Sequence, residues 1–430
     1  MKQLFEKVFK SKFIKNVTIM ATGAAGAQII ALLTLPIITR LYGPEAYGIL
    51  GTFNSFVNII VPIAALTYPI AIVLPKSQVE ALGIIRLSTF VTSGFAILVF
   101  FIVILFKDLL ISLLNIEAYS YILYFIPLVI LFSGLMEIME QWLIRTKQFV
   151  INAKVTFYQS IYRYGSQVII GLFFPLALVL VFISATSNGF KAILMYYLSN
   201  RKELTFNKRQ HSKKKLVEIA KKYKDFPVYR FPEALLNSLT GGLPVLMLTS
   251  FFGPASAGFY TLGRTVLRAP SHLIGKAVGD VFYPKITEAA NKGKRTDKIL
   301  INTTIGLATV GFIPFGTIIL FGPELFSFIF GDSWKTAGQY AKWVSLLSFS
   351  GFLVRPSVRS LPVFNAQKLH LLHTVITLLV SITALSLGFY VFENDIVAVS
   401  MFCISKSALD FCLIVITVFI AKTRKISIRN

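Results

Sequence analysis

Acidic side chains are scarce in this 430-residue chain: 19 Asp and Glu stand against 43 Lys and Arg, and charged residues of every kind make up only 14% of it. In a soluble chain a formal +24 would point to nucleic acid. Here 55% of the residues are hydrophobic and many apolar runs are long enough to cross a bilayer, so the basic balance must be read against a membrane and no nucleic-acid partner is expected. Cysteine is nearly absent. Cys403 and Cys412 share one predicted span, and neither a disulfide framework nor a metal site has support. There is no G-x-x-x-x-G-K-[ST] phosphate loop, so the chain does not hydrolyse ATP through such a site. Long outward loops are missing too, which leaves no room for an external catalytic domain. An enzyme is not expected, nor is a cofactor.

What is present is a succession of apolar windows bounded by charge or by Gly and Pro clusters. They lie at 16–39, 47–74, 87–106, 119–144, 155–173, 176–198, 229–252, 258–284, 299–321, 337–354, 369–392 and 396–421. Twelve spans predict an all-α polytopic membrane protein with both termini on one side. If that side is the cytoplasm, outward loops hold only Arg40, Lys107 and Lys335. Arg163, Lys191, Arg264, Arg268, Lys276, Lys342 and Lys406 fall inside spans, and all the remaining Lys and Arg are cytoplasmic, as the positive-inside rule requires. The basic start, Lys2 to Lys15, runs into an apolar segment that continues past Ala21 to Ala27, so the first span is expected to stay attached. The longest loop, 199–228, is strongly basic and is expected to rest on anionic lipid headgroups. It divides the chain into predicted six-helix lobes at 1–198 and 229–430.

A repeat relates those lobes. Leu41-Tyr-Gly-Pro-Glu-Ala-Tyr-Gly48 recurs as Phe251-Phe-Gly-Pro-Ala-Ser-Ala-Gly258, an offset of 210. Pro75-Lys76 answers Pro284-Lys285, and Asn152-Ala153-Lys154 answers Asn365-Ala366-Gln367-Lys368. Six spans is an even number, so the halves share one orientation and are related by an axis along the membrane normal.

The candidate site residues come from polar positions spaced by four. Span eight carries Arg264, Arg268, His272, Lys276 and Asp280, which stack along one helix face. Arg264 and Lys276 can snorkel to opposite surfaces; Arg268 and His272, near mid-span, cannot do so easily and require water, an anion or a partner. The repeat sets Asn54 and Asn58 of span two against Arg264 and Arg268. Span five adds Gln159, Arg163 and Gln167, which map near His373, Thr377 and Ser381 of span eleven. The amides have two readings, packing bonds between helices or contacts to a substrate. Lys406 and Asp410 are expected to neutralise each other, and Glu137 and Glu140 either partner Arg145 or face water.

Three stretches carry a family resemblance: Thr39-Arg40-Leu41-Tyr42-Gly43-Pro44-Glu45-Ala46-Tyr47-Gly48, Leu74-Pro75-Lys76 and Lys222-Tyr223-Lys224-Asp225-Phe226-Pro227. Through them the chain resembles, over its whole length, the O-antigen-type oligosaccharide flippases of the polysaccharide transporter family, in the multidrug/oligosaccharidyl-lipid/polysaccharide exporter superfamily. The resemblance implies two six-helix lobes around a central V-shaped cavity in the bacterial inner membrane. It implies translocation of undecaprenyl-pyrophosphate-linked glycan, an O-antigen or similar unit of lipopolysaccharide or other surface polysaccharide, from the cytoplasmic to the outer leaflet. Membrane lipids, a polymerase and other polysaccharide-assembly membrane proteins are the implied partners, and a monomer the implied working unit. Arg163, Arg264, Arg268, His272 and Lys276 suit the pyrophosphate, and Asn54, Asn58, Gln159 and Gln167 the sugar hydroxyls. The alternatives are a lipid II-type flippase, whose relatives have two further spans and arginines in the first helix that this chain lacks, and a multidrug exporter, whose cavity should be acidic or aromatic.

Overall fold

A chain that must satisfy its backbone groups without water inside a bilayer has the helix as its simplest solution. The computed structural model describes residues 12–114, 116–200 and 213–423, and for 12–18, 21, 63, 114, 213–214 and 269–281 it describes the backbone alone. Among the described residues there are helices and no strands. In order they are α1 (Lys12–Ala64), α2 (Gln78–Leu105), α3 (Lys107–Leu114), α4 (Ile126–Arg145), α5 (Phe149–Ser160), α6 (Ser166–Gly171) and α7 (Ala177–Leu198). Then come α8 (Lys213–Lys222), α9 (Phe231–Phe252), α10 (Pro254–Asn291), α11 (Thr296–Phe330), α12 (Lys335–Leu353), α13 (Arg355–Ser360), α14 (Gln367–Tyr390) and α15 (Asp395–Thr423). Tight 3-10 turns lie at Tyr68–Val73 and Glu117–Phe125, and wide π turns at Ile161–Gly165 and Phe226–Arg230.

Helical rods lie at all twelve expected spans, making this a polytopic all-α fold. Eight helices among the described residues are by themselves long and apolar enough to cross a membrane. The difference from twelve has physical causes. Spans one and two run together as the single kinked α1, span five is broken into α5, a π turn and α6, α10 carries the charged stripe, and α12 is short with Lys335 and Lys342 in it.

The kink in α1 is at Gly43, with φ 69 and ψ 175, and the break before α10 is at Gly253, with φ 89 and ψ 172. The same left-handed backbone occupies equivalent places in the repeat, and proline follows it each time to start the next helix. Five residues beyond each kink the copies meet. A Cβ on Gly48 would lie 1.7 Å from the carbonyl oxygen of Pro254, and one on Gly258 would lie 2.1 Å from that of Pro44. The contact is reciprocal: each motif's last glycine receives the other motif's proline carbonyl. Only a hydrogen fits at either place.

The chain forms two compact units. The first takes in described residues up to Tyr42 and Ile49–Gly242; the second takes in Gly43–Gly48 and the chain from Leu243 onward. The division within the later chain falls inside α9, whereas the linker 199–228 was the expected divide. The cause is α8, which docks on the first unit. Ile219, Tyr223 and Phe226 pack against a core of Ala71, Ile72, Ile84, Ile85, Ile138 and Trp142. Thr67 Oγ1 donates to the Phe226 carbonyl at 3.0 Å, and the Lys222 ammonium and Tyr223 hydroxyl both bond the Glu80 carboxylate. That hydrogen bond to Glu80 holds the Lys222 ammonium above the usual lysine range.

Within each unit burial follows membrane logic. Thr39, Thr52, Ser88, Thr249 and Ser345 are fully buried, while Phe90, Phe312 and Phe328 are 76%, 72% and 81% exposed. Small hydroxyl residues let helices approach; Thr39 and Thr417 donate to the preceding turn, to the Leu35 carbonyl at 2.9 Å and that of Leu413 at 2.7 Å, while Ser345 donates to the Phe315 carbonyl of the neighbouring helix at 2.9 Å.

Candidate functional site

In the first unit polar groups collect where span five meets α7. Arg163 sits in the middle of the π turn Ile161–Gly165, a widened turn of the kind that interrupts helices at functional places. Its Nη2 donates to Ser184 Oγ at 3.0 Å, and Ser184 Oγ donates in turn to Asn54 Oδ1 at 2.9 Å. Its Nε is buried without a hydrogen-bond partner. One turn earlier, Gln159 Nε2 donates to Ser187 Oγ and Asn188 Oδ1, both at 3.1 Å, and Asn188 Nδ2 donates to Ser133 Oγ at 2.8 Å. The Tyr162 hydroxyl meets Thr186 Oγ1 at 2.9 Å while its ring stacks on Phe190 at 4.5 Å. A crevice of about 260 Å³ opens between α1 and span five, lined among others by Gln28, Thr156, Gln159, Arg163 and Tyr164.

Asn54 and Gln159 thus make interhelical bonds, and Asn54 does so by way of the serine that holds Arg163. Asn58 is exposed and stands outside this network. Gln167 is 2% exposed, its Nε2 lacks a partner, and its backbone carbonyl accepts the Tyr42 hydroxyl at 2.7 Å. The four-residue stripe through Gln159, Arg163 and Gln167 presumes an unbroken α-helix. The π turn resets the helix face between the last two, and Gln167 points into packed protein.

In the second unit Arg264 is half-buried and Arg268 exposed on α10. The side chains of His272, Lys276 and Asp280 lie outside the described residues, and only their helical backbone is given. Arg268 lies within electrostatic reach of Arg264 and of Arg355 at the start of α13. Lys406 on α15 lies within reach of Arg264, Arg268 and Asp410. Asp410 is 3% exposed, accepts a hydrogen bond from Ser350 Oγ at 3.0 Å, and faces His373 Nε2 at 3.4 Å. The nearest basic side chain to Asp410 is therefore His373, while Lys406 lies within electrostatic reach of both the carboxylate and the two arginines. Glu140, by contrast, pairs with Lys191 at 3.6 Å, and Arg145 is spent on the carbonyls of Ile72 and Pro75, at 3.0 and 2.6 Å.

Reading by spacing misses Ser184, Ser350 and Arg355. The run Ser184-Ala-Thr-Ser-Asn188 inside an apolar span is a signal that would have found the first. Arg355 follows the last apolar residue of span ten and reads as an ordinary flanking charge. Among the described residues, no three His, Cys, Asp or Glu side chains are placed to hold a metal ion. What the arrangement offers is guanidinium forks beside hydroxyls and amides, suited to a phosphate-bearing, hydroxylated ligand.

The fold is similar to that of an inward-facing multidrug resistance MATE family transporter of the MOP superfamily, with a TM-score of 0.74 at 11% identity, covering 92% of this chain and 94% of that one. It is also similar to the lipid II flippase MurJ in an inward closed conformation, with a TM-score of 0.68 at 15% identity over 94% of this chain and 87% of that one. At such identities the likeness is one of fold. No curated protein sequence matches. The family model described as "Polysaccharide biosynthesis protein" matches residues 13–290, well over half the chain. The chain belongs to that polysaccharide biosynthesis protein family.

Proposed function

We propose that this protein is a flippase that moves undecaprenyl-pyrophosphate-linked oligosaccharide, an O-antigen or similar surface-polysaccharide unit, from the cytoplasmic to the outer leaflet of the bacterial inner membrane. The reading places both termini and the linker in the cytoplasm. The observation that carries it is the gathering of cations in the second unit, where Arg268 lies within electrostatic reach of Arg264, Arg355 and Lys406. Each such cation near the bilayer centre costs roughly 2.5 to 3.5 kcal/mol on the insertion scale, so a cluster calls for an anion. A pyrophosphate is that anion. In the first unit, Arg163 with the hydroxyls and amides around it is itself suited to phosphate and to sugar hydroxyls, and the lipid tail stays in the bilayer. An exporter of cationic drugs would be repelled by the same charges. Family membership and a fold shared with a lipid II flippase favour a lipid-linked glycan over other anions.

Neutral substitutions at the guanidinium positions should stop translocation while the protein still inserts. The measurement is surface-glycan export at native expression for Arg163→Ala and Arg268→Ala, with membrane-inserted protein quantified alongside. Normal export by both variants would remove the assignment.

A further inference from the structure

Three helices of the second unit converge on one carboxylate. Asp410 of α15 is held by Ser350 of α12 at 3.0 Å, Ser350 lies 3.2 Å from Ser407, and His373 of α14 lies 3.4 Å from the other carboxylate oxygen. These contacts fix Asp410 in place. One turn earlier on the same face stands Lys406, which lies within electrostatic reach of Asp410 and of Arg264 and Arg268. Among the described residues, the charged and titratable groups brought to this region are Tyr260, Arg264 and Arg268 from α10, Arg355 and Arg359 from α13, His373 from α14, and Cys403, Lys406 and Asp410 from α15.

A transporter has to release what it binds. Were every cation of the cluster free for a dianion, the complex would be a trap in a low-dielectric setting, where opposite charges attract far more strongly than in water. A fixed internal anion that engages one of the cations limits that grip. We propose that Asp410 is the resident counter-ion of the second unit's anion site: by engaging Lys406 it sets how tightly the Arg264 and Arg268 pair holds a phosphate anion, and so allows release. This rests on the anionic-substrate reading above and adds to it a residue that sets affinity without touching the ligand.

Removing the carboxylate's charge raises the net charge of the cluster by one. For a dianion at separations of about 10 Å this corresponds to a change of order tenfold in affinity. The experiment is calorimetric titration of the purified full chain in lipid nanodiscs with inorganic pyrophosphate, at low and at moderate salt. Asp410→Asn should bind about tenfold more tightly than the wild type, with a steeper loss on adding salt. Lys406→Gln should bind about tenfold more weakly. The double variant, which restores the net charge while disturbing the packing most, should return close to wild-type affinity.

A merely structural role predicts a different pattern, with lowered thermal stability in all three variants and no ordered change in affinity. Equal affinities, or a weaker Asp410→Asn, overturn the role of Asp410 and leave the anion reading intact. If Asp410→Asn fails to fold, unchanged affinity in Lys406→Gln overturns it equally. No pyrophosphate binding by the wild type removes the anion reading itself, and this inference with it.

Discussion

Arg163 owes its geometry to two short-range facts, a widened turn and a serine. The π turn sets it apart from the regular ladder, and Ser184 relays its guanidinium to Asn54 through bonds of 3.0 and 2.9 Å. A hydrogen bond to a charged group contributes roughly 1.5 to 3 kcal/mol. Ser184→Ala should therefore leave the protein folded and the charge present while loosening the guanidinium, lowering the export rate about tenfold. Asn54→Asp, which places a carboxylate at the end of the relay, should be worse. Comparing glycan export at matched protein levels checks both; full activity in Ser184→Ala would mean that the relay does not position Arg163. Arg163→Lys should rescue only in part, because an ammonium lacks the planar fork. The candidate residues that stand out in the sequence are those whose chemistry is out of place in a membrane, Arg163, Arg264 and Arg268 above all. Ser184 and Ser350 could not be singled out by type, since serine is ordinary between packed helices; partner and direction gave them their roles.

At the scale of elements, hydropathy locates the spans because apolar length is what crossing a bilayer demands. It cannot say that spans one and two form one kinked helix, or that span five contains a π turn. Those depend on a few backbone angles, and of the sequence only Gly43-Pro44 announces one. The amphipathic α8 was hidden for another reason. Its lysines dominate its composition, while the few apolar side chains that dock it, Ile219 with Tyr223 and Phe226 just after the helix, are too sparse to stand out.

The crossing of α1 and α10 gives a direct test at this scale. A methyl at Gly48 or Gly258 meets backbone carbonyls that no rotamer change can move, so Gly48→Ala and Gly258→Ala should each destabilise by at least about 1 to 3 kcal/mol. Because both changes open the same contact, the double variant should lose less than the sum of the two. Thermal melts of purified protein in one detergent measure this. Strict additivity would show that the crossing is not one shared contact.

For the whole molecule, the distribution of Lys and Arg fixes an expected orientation. In a background without Cys403 and Cys412, Lys215→Cys should react with a membrane-impermeant thiol reagent only in inverted vesicles, and Glu45→Cys only in intact cells. Labelling of position 215 from outside would end the twelve-span, cytoplasmic-termini topology. The motif pair at offset 210 is what suggests two six-span halves in the sequence. That the copies touch was not legible, since a repeat records ancestry and says nothing about proximity.

The reciprocal glycine contact bears on how the protein is made. Gly43–Gly48 is packed with the second unit although it is synthesised among the residues of the first. The tip of α1 therefore leaves the ribosome with its partner 210 residues away. At about 5 to 20 residues per second, Pro254 and Gly258 follow roughly ten to forty seconds later. During that interval the first unit can pack its own core, but the kinked tip has no counterpart, and its bare glycine face is open to whatever the insertion machinery or a chaperone presents. Final assembly of the chain waits on its midpoint, and a pause in translation shortly before residue 254 should lengthen the period in which the nascent protein is vulnerable to degradation.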